Sequence, residues 1–84
     1  MDKQQQIQYS NNIFKLFILD LTTTKQITIY KITKECNLTK NFLYNKMEGY
    51  TIQYVSLPTI ILICKTFSFP FDILKYISQL EYNK

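Results

Sequence analysis

The sequence predicts an all-α domain of five short helices, the second and third at helix-turn-helix spacing. Three observations lead there. Apolar residues recur at three- and four-residue intervals in five separate runs. A Ser, Thr or Asn stands ahead of four of these runs, where its side chain can cap a helix. Only "YTIQYV" (50–55) alternates, and weakly, so it reads as a loop or short extended strand and no sheet is expected.

Residues 1–10 form a Gln-rich polar lead, expected to fray or be disordered, ahead of a single domain over 11–82. Ser10, Asn11 or Asn12 can cap the first helix, "IFKLFILDLTTT". Phe14, Phe17, Ile18 and Leu21 make one stripe on it. Ile13, Leu16 and Leu19 are apolar too, so this helix is central or touches a second chain. The Thr run at 22–24 is a poor helix interior and marks its end.

Thr28 caps a second helix, "IYKITKEC", with Ile29, Ile32 and Cys36 inward. Asn37 suits the left-handed position after it. Thr39 caps a third, "KNFLYNKME", with Leu43 and Met47 inward, and Gly49, the one Gly in the chain, can close it. About three residues separate the two helices, the spacing of a helix-turn-helix. Ser56 caps "LPTIILICKTF", where Pro58 sits early enough that its missing N–H costs nothing. Its expected core stripe is Leu57, Ile60, Ile61, Cys64 and Phe67. After "SFPF", a fifth helix carries Ile73, Leu74, Ile77 and Leu80.

Composition narrows the function. At 84 residues this is one small domain, which buries only about 60% of its unfolded surface and gains from dimerisation. The net charge is +4. Lys25, Lys31, Lys34, Lys40 and Lys46 face Glu35 alone in one segment, which accounts for the whole excess. A polyanionic partner fits that concentration; a solvated face is the plainer alternative. There is no His, and Cys36 and Cys64 lack metal-ligand spacing, so no metal or cofactor is expected. The two Cys are expected as buried free thiols in preference to a pair. No paired carboxylates or phosphate-binding Gly loop suggest an enzyme. No signal peptide is visible, and the apolar runs are about half a membrane span, so a soluble cytoplasmic protein is expected.

Three blocks, in order, resemble the Cro and CI-type repressor DNA-binding domains, the XRE-like helix-turn-helix family. "ITIYKIT" (27–33) resembles its Leu-Ser/Thr-Gln opening of helix two. "NLTKNFLYNKMEG" (37–49) resembles its turn and recognition helix. "SLPTIILICKTFSFPFDIL" (56–74) resembles its fourth helix and the approach to the fifth, and is the most specific. The resemblance runs from about Ile13 to Leu74 and implies a five-helix, lambda-repressor-like fold. Ile29 stands where the family often has a phosphate-holding Gln, and Thr33 where it has a tight-packing Ala. Lys46 stands where an apolar residue is usual. Either the face of helix three is rotated or the Lys46 ammonium snorkels outward.

A recognition helix presents its N-terminal residues to base edges in the major groove. Here that helix is about 40–48. Lys40 suits guanine or a phosphate, and Asn41 and Asn45 suit adenine. Phe42 packs on a thymine methyl or in the core; Tyr44 meets a phosphate or solvent. Thr28 and Thr39 cap, and each lies where a phosphate can approach. With Lys46 these are the candidate DNA-binding residues. The implied function is a sequence-specific regulator of double-stranded DNA, a transcriptional repressor of the kind found in phage, plasmid and mobile elements. It would act as a homodimer through Tyr76 and Leu80 with the exposed side of helix one, without a membrane or small-molecule ligand. The alternatives are a protein-interaction module, such as an antitoxin or antirepressor, and a DNA-binding accessory of plasmid transfer or recombination.

Overall fold

Helix α1 begins at Lys3 and runs 23 residues to Lys25, so the polar lead is helical where fraying was expected. The computed structural model describes residues 1–48 and 54–82. Asp2 caps α1: its carboxylate accepts from the Gln5 N–H at 2.8 Å, and the Gln5 side chain accepts from the Asp2 N–H at 3.0 Å. This reciprocal box satisfies two donors that a helix start leaves open. Ile7 then enters the core in phase with Asn11, Phe14, Ile18 and Leu21. Tyr9 donates to Glu81 at 2.9 Å and Tyr54 to Gln6 at 3.1 Å, so both later segments tie this end down. Asn11 is a buried mid-helix residue and caps nothing.

The Thr run forms the last turn of α1, which ends one residue later at Lys25. Thr22 Oγ1 donates to the Leu19 carbonyl and Thr24 Oγ1 to the Asp20 carboxylate, which keeps both hydroxyls satisfied on a helical backbone. The stop comes at Gln26, left-handed at φ 55°, with the Ile27 N–H closing back on the Thr22 carbonyl.

The next four helices follow the expected order. They are α2 (Ile29–Cys36), α3 (Lys40–Glu48), α4 (Leu57–Phe67) and α5 (Ile73–Tyr82). No strand occurs among the described residues. Gly49 and residues 50–53, where a closing turn and a loop or strand were expected, lie outside them. Thr28, Thr39 and Ser56 cap α2, α3 and α4 by accepting from Lys31, Phe42 and Thr59 N–H groups. Asn37 ends α2 in the left-handed conformation, and Ser68 does the same for α4. Asp72 accepts from the Lys75 N–H at the start of α5.

Helix α1 packs against α3 and α5, and α2 packs against α3 and α4. The core holds Phe14, Phe17, Ile18, Leu21, Ile32, Leu43 and Ile63, with Phe17 at the centre of rings from Phe14, Phe69, Phe71 and Tyr76. Helices α4 and α5 turn only part of the expected stripes inward: Ile60, Cys64, Phe67, Ile77 and Leu80 pack against the core as expected. Ile63 is the buried residue of α4 and Tyr76 that of α5. Leu57, Ile61, Leu62, Ile73 and Leu74 are exposed. Tyr76 is therefore core, and the dimer contact expected of it is ruled out by its burial. Its phenol donates to Asp20 on α1 at 2.8 Å, beside the Lys75 ammonium at 3.0 Å. Cys36 and Cys64 are free, and burial raises both thiols. No helix among the described residues is long and apolar enough to cross a membrane.

Candidate nucleic-acid interface

Only three residues, Asn37, Leu38 and Thr39, separate α2 from α3. Their geometry follows from local chemistry. Asn37 at φ 55° reverses the chain, and the Leu38 N–H closes on the Thr33 carbonyl at 2.8 Å. Leu38 is half-buried against the core, and the Thr39 hydroxyl then accepts from Phe42 N–H at 3.0 Å to start α3. A turn this short leaves little freedom between the two helices, so residues on their outer faces are held in one arrangement.

On α3, Leu43 and Met47 face inward and set the opposite face outward. Lys40, Asn41, Tyr44 and Asn45 are on that outer face, all exposed. Thr28 and Thr39 are also exposed, at the starts of α2 and α3. The Lys40 ammonium stands 5.8 Å from the centroid of the Tyr44 ring, a cation–π distance. Asn41 and Asn45 are one helical turn apart, so their amides share a stripe.

Two of the expected site residues turn away. Lys46 is 8% exposed, and its ammonium stands 5.7 Å from the Phe42 ring centroid. The face of α3 is not rotated: Lys46 occupies the inward position and keeps its head beside an aromatic ring, so it does not join the outer face. Phe42 is half-buried against the core and serves that contact.

One residue belongs with this face that sequence reasoning passed over. Tyr30, in the first turn of α2, is 72% exposed. It lines an open notch of about 330 Å³ with Thr28, Ile29, Thr33, Lys40 and Tyr44. Its position beside Ile32 and Thr33, which are buried, was the available signal: an aromatic on the polar side of an amphipathic helix.

Comparison with family models, curated proteins and solved structures finds no match for this chain. Its chemistry therefore rests on the face itself. Lys25, Lys31, Lys34 and Lys40 are all exposed, and Glu35 is the only acid among residues 25–46. Among the described residues no three His, Cys, Asp or Glu side chains come together as metal ligands. The face offers ammonium and hydroxyl donors, and amides that both donate and accept.

Proposed function

We propose that this chain is a sequence-specific, double-stranded DNA-binding regulator of the Cro/CI-like helix-turn-helix kind, a transcriptional repressor working in the cytoplasm. The observation that carries the reading is the outer face of α3. Lys40, Asn41, Tyr44 and Asn45 project from a helix anchored by Leu43 and Met47, one short turn from α2. Asn41 and Asn45 carry the paired donor and acceptor that adenine N6/N7 requires. The lysines of residues 25–40 supply attraction to phosphates, which is independent of sequence. This is a binding role and not an enzymatic one.

The active species is a homodimer with half-sites about one helical turn apart. The apolar side chains of Leu57, Ile61 and Leu62 on α4 and Ile73 and Leu74 on α5 support association, in place of Tyr76. The same apolar residues support the second reading, a protein-interaction module. Selection of binding sites from random duplexes separates the two. A recovered motif supports the regulator. On that motif Asn41→Ala costs about 1–3 kcal/mol, with little effect on unrelated duplex. Recovery of no motif sinks the reading and leaves the protein-interaction module.

A further inference from the structure

The notch between α2 and α3 has an unbalanced hydrogen-bonding inventory. Its lining includes Lys40, Tyr30 and Tyr44. An ammonium carries three donors and no acceptor, and each phenol adds an O–H. Thr33 Oγ1 is already committed, donating to the Tyr30 carbonyl at 2.8 Å, and Thr28 Oγ1 accepts from Lys31 N–H at 3.1 Å. No Asp or Glu is among the described residues that line the notch. The phenols also accept, but the ammonium leaves a surplus of donors and positive charge, which an anion with several acceptor oxygens matches. The amides of Asn41 and Asn45, each with a donor and an acceptor side by side, suit a base edge better. The cavity is at the small end of ligand pockets, with two aromatic walls. The Lys40 ammonium stands 5.8 Å from the centroid of the Tyr44 ring, one of these walls.

We infer that the α2–α3 notch is a phosphodiester site in which Tyr30, Tyr44 and Lys40 grip one phosphate of the nucleic-acid backbone. Lys40 therefore serves affinity, and sequence reading falls to Asn41 and Asn45. This rests on the DNA-binding reading above and adds to it Tyr30 and the assignment of Lys40. The phenols fix the register of the helix on the backbone, and the ammonium supplies the charge.

The test couples residue to phosphate. The full chain is titrated by fluorescence anisotropy onto its selected duplex, onto an unrelated duplex, and onto selected duplexes carrying one neutral methylphosphonate at successive positions. Tyr30→Phe and Tyr44→Phe each weaken both phosphodiester duplexes by about tenfold or more, the loss of one hydrogen bond to a charged oxygen. Lys40→Gln also weakens both and reduces the salt slope by about one. At one methylphosphonate position the unsubstituted chain loses affinity while the Tyr30→Phe and Lys40→Gln chains lose little more. All three side chains are exposed, so unchanged thermal midpoints verify the fold. Additive losses at every position overturn the inference while leaving DNA binding intact, as does a change in duplex preference with Lys40→Gln. Tyrosine ring resonances that move with millimolar inorganic phosphate as they do with duplex overturn it in favour of a free-phosphate site. Absence of any preferred duplex for the unsubstituted chain brings down the DNA-binding reading and the inference with it.

Discussion

Replacing Tyr76 with Phe removes one oxygen and tests what holds α5 to α1. The ring stays against Phe17 and Phe71, so packing is preserved. What goes is a 2.8 Å donation to the Asp20 carboxylate, whose side chain is 19% exposed. Hydrogen bonds to charged groups contribute about 1.5–3 kcal/mol, and partial exposure sets this one near the lower end, about 1.5. For a domain of this size that lowers the thermal midpoint by roughly 6–12 °C. The Lys75–Asp20 ion pair is more open, with the lysine 46% exposed, and Lys75→Ala costs about 0.5 kcal/mol or less. The effect of Tyr76→Phe also depends on pH. Burial alone would raise the Asp20 carboxyl, but the hydrogen bonds from Lys75, Tyr76 and Thr24 outweigh it and hold the group below its ordinary value. A lowered folded value means stability that is fully present above about pH 4 and lost as pH falls through that lower value. The difference between Tyr76→Phe and the parent therefore narrows toward pH 2. The phenol is shifted the other way, raised by burial first and then by Asp20. Its contribution is present below about pH 10 and lost above it, as the unfolded chain ionises first. Urea unfolding followed by far-UV circular dichroism at pH 2.5, 7 and 10.5 measures all three. Equal midpoints for variant and parent at pH 7, or an undiminished gap at pH 2.5, would refute the reasoning.

Asn11 is fully buried and neither amide atom has a hydrogen-bond partner among the described residues, so Asn11→Leu is expected to stabilise the fold by about 1–3 kcal/mol, read as a higher urea midpoint; a fall would mean that the amide is satisfied in solution. Lys46→Met is expected to leave the salt slope of DNA binding unchanged, in contrast to Lys40→Gln, because Lys46 is turned inward; a slope lower by one would put its ammonium on phosphate. Leu74→Asp, at a side chain 72% exposed, is expected to shift sedimentation toward monomer without lowering the thermal midpoint of the monomer; an unchanged association state removes α5 from the interface.

Helix number, order and most stops were readable from residues alone, because the forces involved act within one turn. Thr28, Thr39 and Ser56 cap because a hydroxyl reaches an N–H three residues on. Asn37 reverses the chain because it tolerates the left-handed conformation. The start of α1 was equally local, yet Gln5 answering Asp2 is easily passed over in a Gln-rich stretch, and Ile7 looks isolated until it is counted in phase with Phe14.

The inward faces of α4 and α5 were a different matter. Helix α4 is apolar nearly all round, so its periodicity points in no one direction, and α2 and the core decided that Ile63 is covered while Leu57 and Ile61 are not. Tyr76 reads as a surface aromatic until Asp20, 56 residues earlier, is brought close enough to accept its hydroxyl. Lys46 stands out in the sequence as a charge at a usually apolar position, but only the docking of α3 decides that the face is unrotated and that Phe42 receives its head. The exposed stripe of Asn41 and Asn45 follows from helical spacing once Leu43 and Met47 are inside, and was legible for that reason. Tyr30 joins Lys40 and Tyr44 only through the packing of two helices, because no local rule makes residues ten and fourteen apart neighbours. Capping and backbone preference are settled by the next few residues in the chain; burial is settled by whatever arrives opposite, and that is a property of the assembled helices.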